Sequence, residues 1–255
     1  IYAEAAQWRP GQRHLKRVVA EMGGKNAIII DGSADLDQAV QGVVDSAFGY
    51  SGQKCSACSR VIVLASVYDT FVQRLVEATR SLPVGDPAQP GTKVGPVIDQ
   101  NAQQKIQAYI ETGKREATLA LSLDCPAEGY FVGPTIFTNV DPQATIAQEL
   151  AVIRAQSFDQ ALAIANDTDY GLTGGLYSRT PSHIERGQRQ LAVGNLYINR
   201  GITGAIVARQ PFGGFKMSGV GSKAGGPDYL VQFLEPRHVS ENIQRQGFAP
   251  IDGVD

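Results

Sequence analysis

The chain holds 255 residues, 43% of them hydrophobic and 19% charged, with a formal net charge of −2. That apolar content can bury a sizeable core, so disorder is set aside and one large or two small globular domains are expected. Charges of both signs are interspersed without a run of Lys or Arg, which leaves no electrostatic footprint for nucleic acid or an anionic membrane and points to a small-molecule partner.

No apolar stretch reaches the ~18 residues of a membrane span, and no charged-then-apolar leader is visible. Because the chain opens at Ile1 rather than a methionine, an upstream part is expected. Three cysteines in this length fit reducing, cytoplasmic surroundings better than a disulfide scaffold.

In chain order, residues 1–17 read as a helix end and a loop. Residues 18–25 read as a short strand stopped by the Gly23-Gly24 pair, and Ala27-Ile28-Ile29-Ile30 as a strand covered on both faces. From Leu36 to about Phe48 the apolar residues recur at helical spacing, and that helix runs into the small-residue segment Gly49-Tyr50-Ser51-Gly52-Gln53-Lys54-Cys55-Ser56-Ala57-Cys58. A strand at 61–64, a helix at 68–80, Gly/Pro loops at 82–87 and 91–99, a helix at 101–113 and a strand at 117–121 follow. Residues 130–137 look like a hairpin. Strands at 152–154, 174–177 and 194–198 then alternate with helices at 157–166 and 181–190, an α/β rhythm. The region 199–229 has eight glycines and no strong periodicity, too long for an idle connection, so it is expected to carry function. Residues 230–234 and 237–240 suggest a terminal strand before a tail.

Cys55 lies at a small-residue turn between an apolar helix and a buried strand, which leaves room for a substrate beside the thiol. A buried packing role is the commoner fate of such cysteines, and it competes with the nucleophile reading for Cys55 and Cys58 alike. Glu21, followed by two glycines, is a candidate base for a thiol or a water if burial raises its pKa; the competing reading is a solvated residue at a strand end. A thioredoxin-like Cys-x-x-Cys pair is disfavoured because the segment ends a helical stretch instead of opening one. Zinc would need further ligands, and Cys125, His14, His183 and His238 show no paired spacing, so no metal is expected. Gly219-x-Gly221 with Ser222-Lys223 lacks the spacing of a phosphate loop.

Three segments together carry a resemblance: Glu21-Met22-Gly23-Gly24-Lys25, Gly52-Gln53-Lys54-Cys55-Ser56-Ala57-Cys58-Ser59-Arg60 and Pro211-Phe212-Gly213-Gly214-Phe215-Lys216-Met217-Ser218-Gly219. In order and separation they resemble the signatures of the NAD(P)-dependent aldehyde dehydrogenase superfamily. Asn199-Arg200-Gly201-Ile202-Thr203-Gly204-Ala205-Ile206-Val207 and Ser222-Lys223-Ala224-Gly225-Gly226-Pro227-Asp228-Tyr229-Leu230 resemble its branch acting on glutamate γ-semialdehyde (1-pyrroline-5-carboxylate). The resemblance runs along nearly the whole chain and covers roughly the C-terminal half of a family member.

That resemblance implies an α/β fold, the catalytic domain of the aldehyde dehydrogenase fold, with a largely parallel open sheet and flanking helices. It makes residues 1–20 the end of the cofactor-binding domain, 21–229 the thiol domain and 230–255 an assembly strand and tail. It makes Cys55 the nucleophile, with its own backbone N–H as one oxyanion donor, and Glu21 the activator of the hydrolytic water. Phe212 walls the aldehyde pocket, while Ser56 and the backbone of Gly204 and Ala205 hold the substrate carboxylate. NAD is the implied cofactor, a homo-oligomer the implied assembly, and oxidation of L-glutamate γ-semialdehyde to L-glutamate, in proline catabolism, the implied activity. Around Gln148-Glu149-Leu150 six family residues are missing, so residues 149 and 150 are expected not to be adjacent in space; Glu149 is the one cofactor contact that remains. The alternative is a non-catalytic assembly fragment of the same family that binds no cofactor.

Overall fold

The computed structural model describes residues 1–146, 150–242 and 244. Glu149 and its junction with Leu150 lie outside the described residues.

Seven strands form one sheet: β1 (Asn26–Ile30), β2 (Cys58–Leu64), β3 (Thr118–Ser122), β4 (Thr135–Thr138), β5 (Leu150–Ala155), β6 (Thr173–Tyr177) and β7 (Asn195–Ile198). Their spatial order is β3-β4-β5-β2-β1-β6-β7. Every neighbouring pair is parallel except the antiparallel edge pair β3 and β4. The helices are α1 (Tyr2–Ala6), α2 (Leu36–Phe48), α3 (Tyr68–Arg80), α4 (Gln100–Glu116), α5 (Phe158–Asn166) and α6 (Pro181–Gln190).

The continuous apolar run of β1 follows from burial on two faces. Ile28 and Ile30 pack with Val61 and Val63 against Val40, Val43 and Val44 of α2 and Phe71 and Leu75 of α3. Ile29 and Ile62 point the other way, onto Phe158, Ala161 and Leu162 of α5 and Ile110 of α4. With side chains alternating between faces and a helical layer on each, the centres of β1 and β2 are apolar at successive positions.

Three readings change against the structure. The strand expected over 18–25 is only Ala20–Glu21, paired antiparallel with Gly219–Val220. Residues 130–137 are not a hairpin: β4 pairs with β3, and a long connection separates the two. In place of a terminal strand there is a single turn of 3₁₀ helix at Val231–Phe233, and residues 234–242 hold no strand. That stretch pairs with none of the sheet edges of its own chain, and Leu230, Val231, Phe233, Leu234 and Val239 stay exposed. Among the described residues no helix is long and apolar enough to cross a membrane.

Candidate active site

Between α2 and β2 the chain turns sharply at Gly49–Gly52, with φ of +58° at Tyr50, +56° at Ser51 and +70° at Gly52. Two non-glycine residues in the left-handed region carry backbone strain that their surroundings must hold. The 91–98 loop does so: Ser51 Oγ donates to the Gly95 carbonyl (2.9 Å), and Gln53 Oε1 accepts from Ile98 N–H (2.8 Å). Cys55 follows this turn and is exposed.

Partial burial of its sulfur pushes the Cys55 thiol above its ordinary value, and the nearby Glu21 carboxylate pushes it further. The nearby backbone N–H groups of Ser56 and Cys55 pull it partly back. Cys58 is different in kind. Fully enclosed in the core, its thiol is pushed up to about 12, which makes it a packing residue.

Glu21 is held by the third signature segment. Met22 N–H donates to the Ser218 carbonyl (2.9 Å), and Ser218, fully buried, uses its hydroxyl to accept from Gly171 N–H (2.9 Å). A Cβ at Gly219 would sit 2.7 Å from the Ala20 carbonyl oxygen, so only glycine lets the two backbones approach this closely. Burial raises the Glu21 pKa. Glu21 and Phe212 line one cavity of about 100 Å³ with Gly213, Gly214 and Tyr229. Asn195 anchors the Phe212 segment, its side chain donating to the Pro211 carbonyl (2.8 Å) and accepting from Gly213 N–H (3.1 Å).

Of the residues expected to hold a carboxylate, Ser56 is buried and its hydroxyl has no hydrogen-bond partner among the described residues. Gly204 and Ala205 stand in the loop that Ser46 ties to α2, its Oγ accepting from Ile202 N–H (3.0 Å). The structure thus brings Glu21 to Cys55 and Phe212 to Glu21, and it sets the 201–205 loop beside the helix that leads into the thiol turn. Sequence reasoning passed over the Ser56 N–H, Asn26, Asn195 and Ser218. Each acts through or upon backbone groups, which leave no mark in residue type.

An exposed thiol on a strained turn, a carboxylate at a nearby strand end and this largely parallel sheet define a class. The chain matches the aldehyde dehydrogenase family over residues 3–239 and belongs to it.

Within that family it is 55% identical to the 1-pyrroline-5-carboxylate dehydrogenase of Geobacillus kaustophilus (strain HTA426), a match covering 94% of this chain and 48% of the relative. Among solved structures it is similar to proline utilization A (PutA) from Bdellovibrio bacteriovorus inactivated by N-propargylglycine (54% identity, TM-score 0.94, 98% of this chain and 27% of that one). It is also similar to 1-pyrroline-5-carboxylate dehydrogenase from Thermus with bound NAD (48% identity, TM-score 0.88, 92% of this chain and 46% of that one). The chain spans about half the length of the curated relatives it matches.

Proposed function

We propose that the chain is the thiol-bearing half of an enzyme that oxidises L-glutamate γ-semialdehyde to L-glutamate through a cysteine thioester. The observation that carries this reading is the exposed Cys55 presented by the strained Tyr50–Gly52 turn, within the field of the Glu21 carboxylate that the 218–219 segment holds. As a thiolate, Cys55 attacks the aldehyde carbon; a C–S bond forms and negative charge moves to the oxygen, where N–H groups aimed at the site stabilise it. In the later hydrolysis, Glu21 takes a proton from water as the oxygen adds to the thioester carbonyl, and the sulfur leaves as thiolate. A carboxylate with a raised pKa is suited to accept that proton. Ser56, Gly204 and Ala205 hold the far carboxylate of the substrate, and Phe212 closes the pocket around the aldehyde. Residues 21–229 form the thiol domain, residues 1–20 lead in from a cofactor domain, and residues 230–255 serve assembly of a cytoplasmic homo-oligomer.

The oxidant in this reading is a nicotinamide dinucleotide, NAD by analogy with the Thermus relative. The described residues do not form its cradle. Of the helices that follow parallel strands, α2 and α5 spend first-turn N–H groups on Asp35 and Ser157, α6 opens on Pro181, and α3 carries Asp69 in its first turn. No hydride step is therefore assigned to these residues. The same observation favours the second reading, an assembly fragment that binds no cofactor.

Acyl transfer needs no hydride acceptor, so it can be tested on this chain. The expected result is steady hydrolysis of p-nitrophenyl acetate that Cys55→Ala abolishes and Glu21→Gln slows at the deacylation step. Turnover that survives Cys55→Ala refutes the nucleophile. Calorimetric titration with NAD is read on the intact enzyme beside this chain: the thiol-half reading expects heat from the intact enzyme and none from the isolated half, and an intact protein that also gives none supports the assembly fragment.

A further inference from the structure

We propose that Asn26 is the positioning residue of the Cys55 nucleophile, holding the carbonyls behind the thiol turn so that the N–H groups of Cys55 and Ser56 face the sulfur. The inference rests on the reading of Cys55 as the nucleophile.

Asn26 opens β1 and is 2% exposed. Its Nδ2 donates to the carbonyls of Cys55 (2.8 Å) and Ala57 (2.9 Å), and its Oδ1 accepts from Thr173 N–H (3.0 Å). Thr173 Oγ1 donates in turn to the Ser56 carbonyl between them (3.5 Å). Three successive carbonyls of the thiol turn are thus tied to the ends of β1 and β6.

A trans peptide is planar, with its C=O and N–H on opposite sides. When Asn26 draws the Cys55 carbonyl inward, the Ser56 N–H of the same plane must face outward. The preceding plane is set likewise: the Lys54 carbonyl accepts from Ala57 N–H (2.9 Å), and the Cys55 N–H points away from it. Among the described residues neither N–H donates to a carbonyl, and both lie near enough to the sulfur to lower its pKa. Asparagine alone offers two donors and one acceptor on so short a stem; aspartate loses both donors, and alanine loses all three groups.

The test is the pH profile of Cys55 alkylation by iodoacetamide in the whole 255-residue chain. Peptide mass spectrometry reads Cys55, with exposed Cys125 as the internal reference. In Asn26→Ala the Cys55 profile should move to higher pH and its rate at about pH 8 should fall about three- to tenfold, with Cys125 unmoved. Asn26→Ser, which keeps one donor, should fall between, and it is the variant to read if Asn26→Ala does not fold. Ser59→Ala removes a hydroxyl bonded to the Asn26 carbonyl (3.4 Å) without touching the clamp, so it should lower stability and leave the profile in place. An unmoved Cys55 profile in a folded Asn26 variant overturns the assignment. Failure of the nucleophile reading shows separately, as ester turnover that persists in Cys55→Ala.

Discussion

Arg60 supplies the sharpest stability test of how the site is held. It is 6% exposed, and among the described residues no carboxylate bonds its guanidinium. Nε and Nη2 donate to the Lys25 carbonyl (3.2 and 2.7 Å), Nη1 to that of Ile164 (3.0 Å) and Nη2 also to that of Ala165 (3.2 Å). The last two belong to the final turn of α5, where carbonyls have no helical partner. Truncating Arg60 therefore leaves three carbonyls bare, and at a little over 1 kcal/mol each the cost is about 3–5 kcal/mol. With a urea slope of about 3 kcal/mol/M for a chain this size, the midpoint should fall by about 1–1.7 M in Arg60→Met. Arg60→Lys keeps the charge but not the fork, and it should recover less than half of the loss. The assay is equilibrium urea unfolding followed by circular dichroism. Midpoints within about 0.2 M of the parent in both variants would show that the carbonyls find water instead, and the reasoning fails.

Two further outcomes follow from the site. Ser56→Ala should lower kcat/KM for mono-p-nitrophenyl glutarate, which carries a far carboxylate, by about 10- to 150-fold, the equivalent of 1.5–3 kcal/mol for a hydrogen bond to a charge, while p-nitrophenyl acetate changes little. Equal losses would place Ser56 in the chemistry at Cys55 instead. Glu21→Gln should speed Cys55 alkylation at about pH 8 by about two- to fivefold. The sign follows from the causes: burial raises the thiol most, Glu21 adds to it, and removing the charge lets the proton leave at lower pH. A slower or unchanged rate means that the Glu21 charge does not reach the thiol. Because its folded value is raised, the Cys55 thiol contributes stability below its unfolded pKa and loses it as pH rises through the folded one, so the parent should lose a small increment of stability on the alkaline side that Cys55→Ala does not.

The α/β order was legible because strands covered on both faces and amphipathic helices leave strong periodic marks. α3 and α6 fall at 68–80 and 181–190, as their spacing predicts. What failed had no such mark. Ala20–Glu21 is a strand only because Gly219–Val220 comes across to pair with it, a contact nearly 200 residues away in sequence. The 230–240 stretch has strand-like composition but joins neither edge of the sheet. At the site, Cys55 and Glu21 stood out as chemistry-bearing side chains, whereas Asn26, Asn195 and Ser218 matter through backbone groups that the sequence shows as ordinary residues. The 91–98 loop looked like a plain connection, yet it braces the strained turn at Tyr50 and Ser51.

The position of the site follows from how the two ends of the sheet are finished. In open parallel sheets ligands commonly sit beyond the carboxyl ends of the strands. Here those ends pass into helices through connections of only two to five residues, at 31–35, 65–67, 156–157 and 178–180. One of them is also plugged. Burial pushes the Asp31 carboxyl up, but Ser178 and Ser33 hydroxyls at 2.7 Å and His183 Nδ1 at 3.0 Å outweigh it and hold the pKa down. The His183 ring is stacked on Phe158, centroids 4.2 Å apart, so it braces that network and is not free to serve as a mobile base. The amino ends are built differently. Glu21 enters ahead of β1, the nine residues 49–57 carry Cys55 into β2, and Asn195 at the start of β7 captures the returning Phe212 segment. Strand starts present backbone N–H and C=O groups not yet committed to the ladder. Side chains from neighbouring strand starts can therefore orient them, and that is the resource a thiol nucleophile needs for its oxyanion.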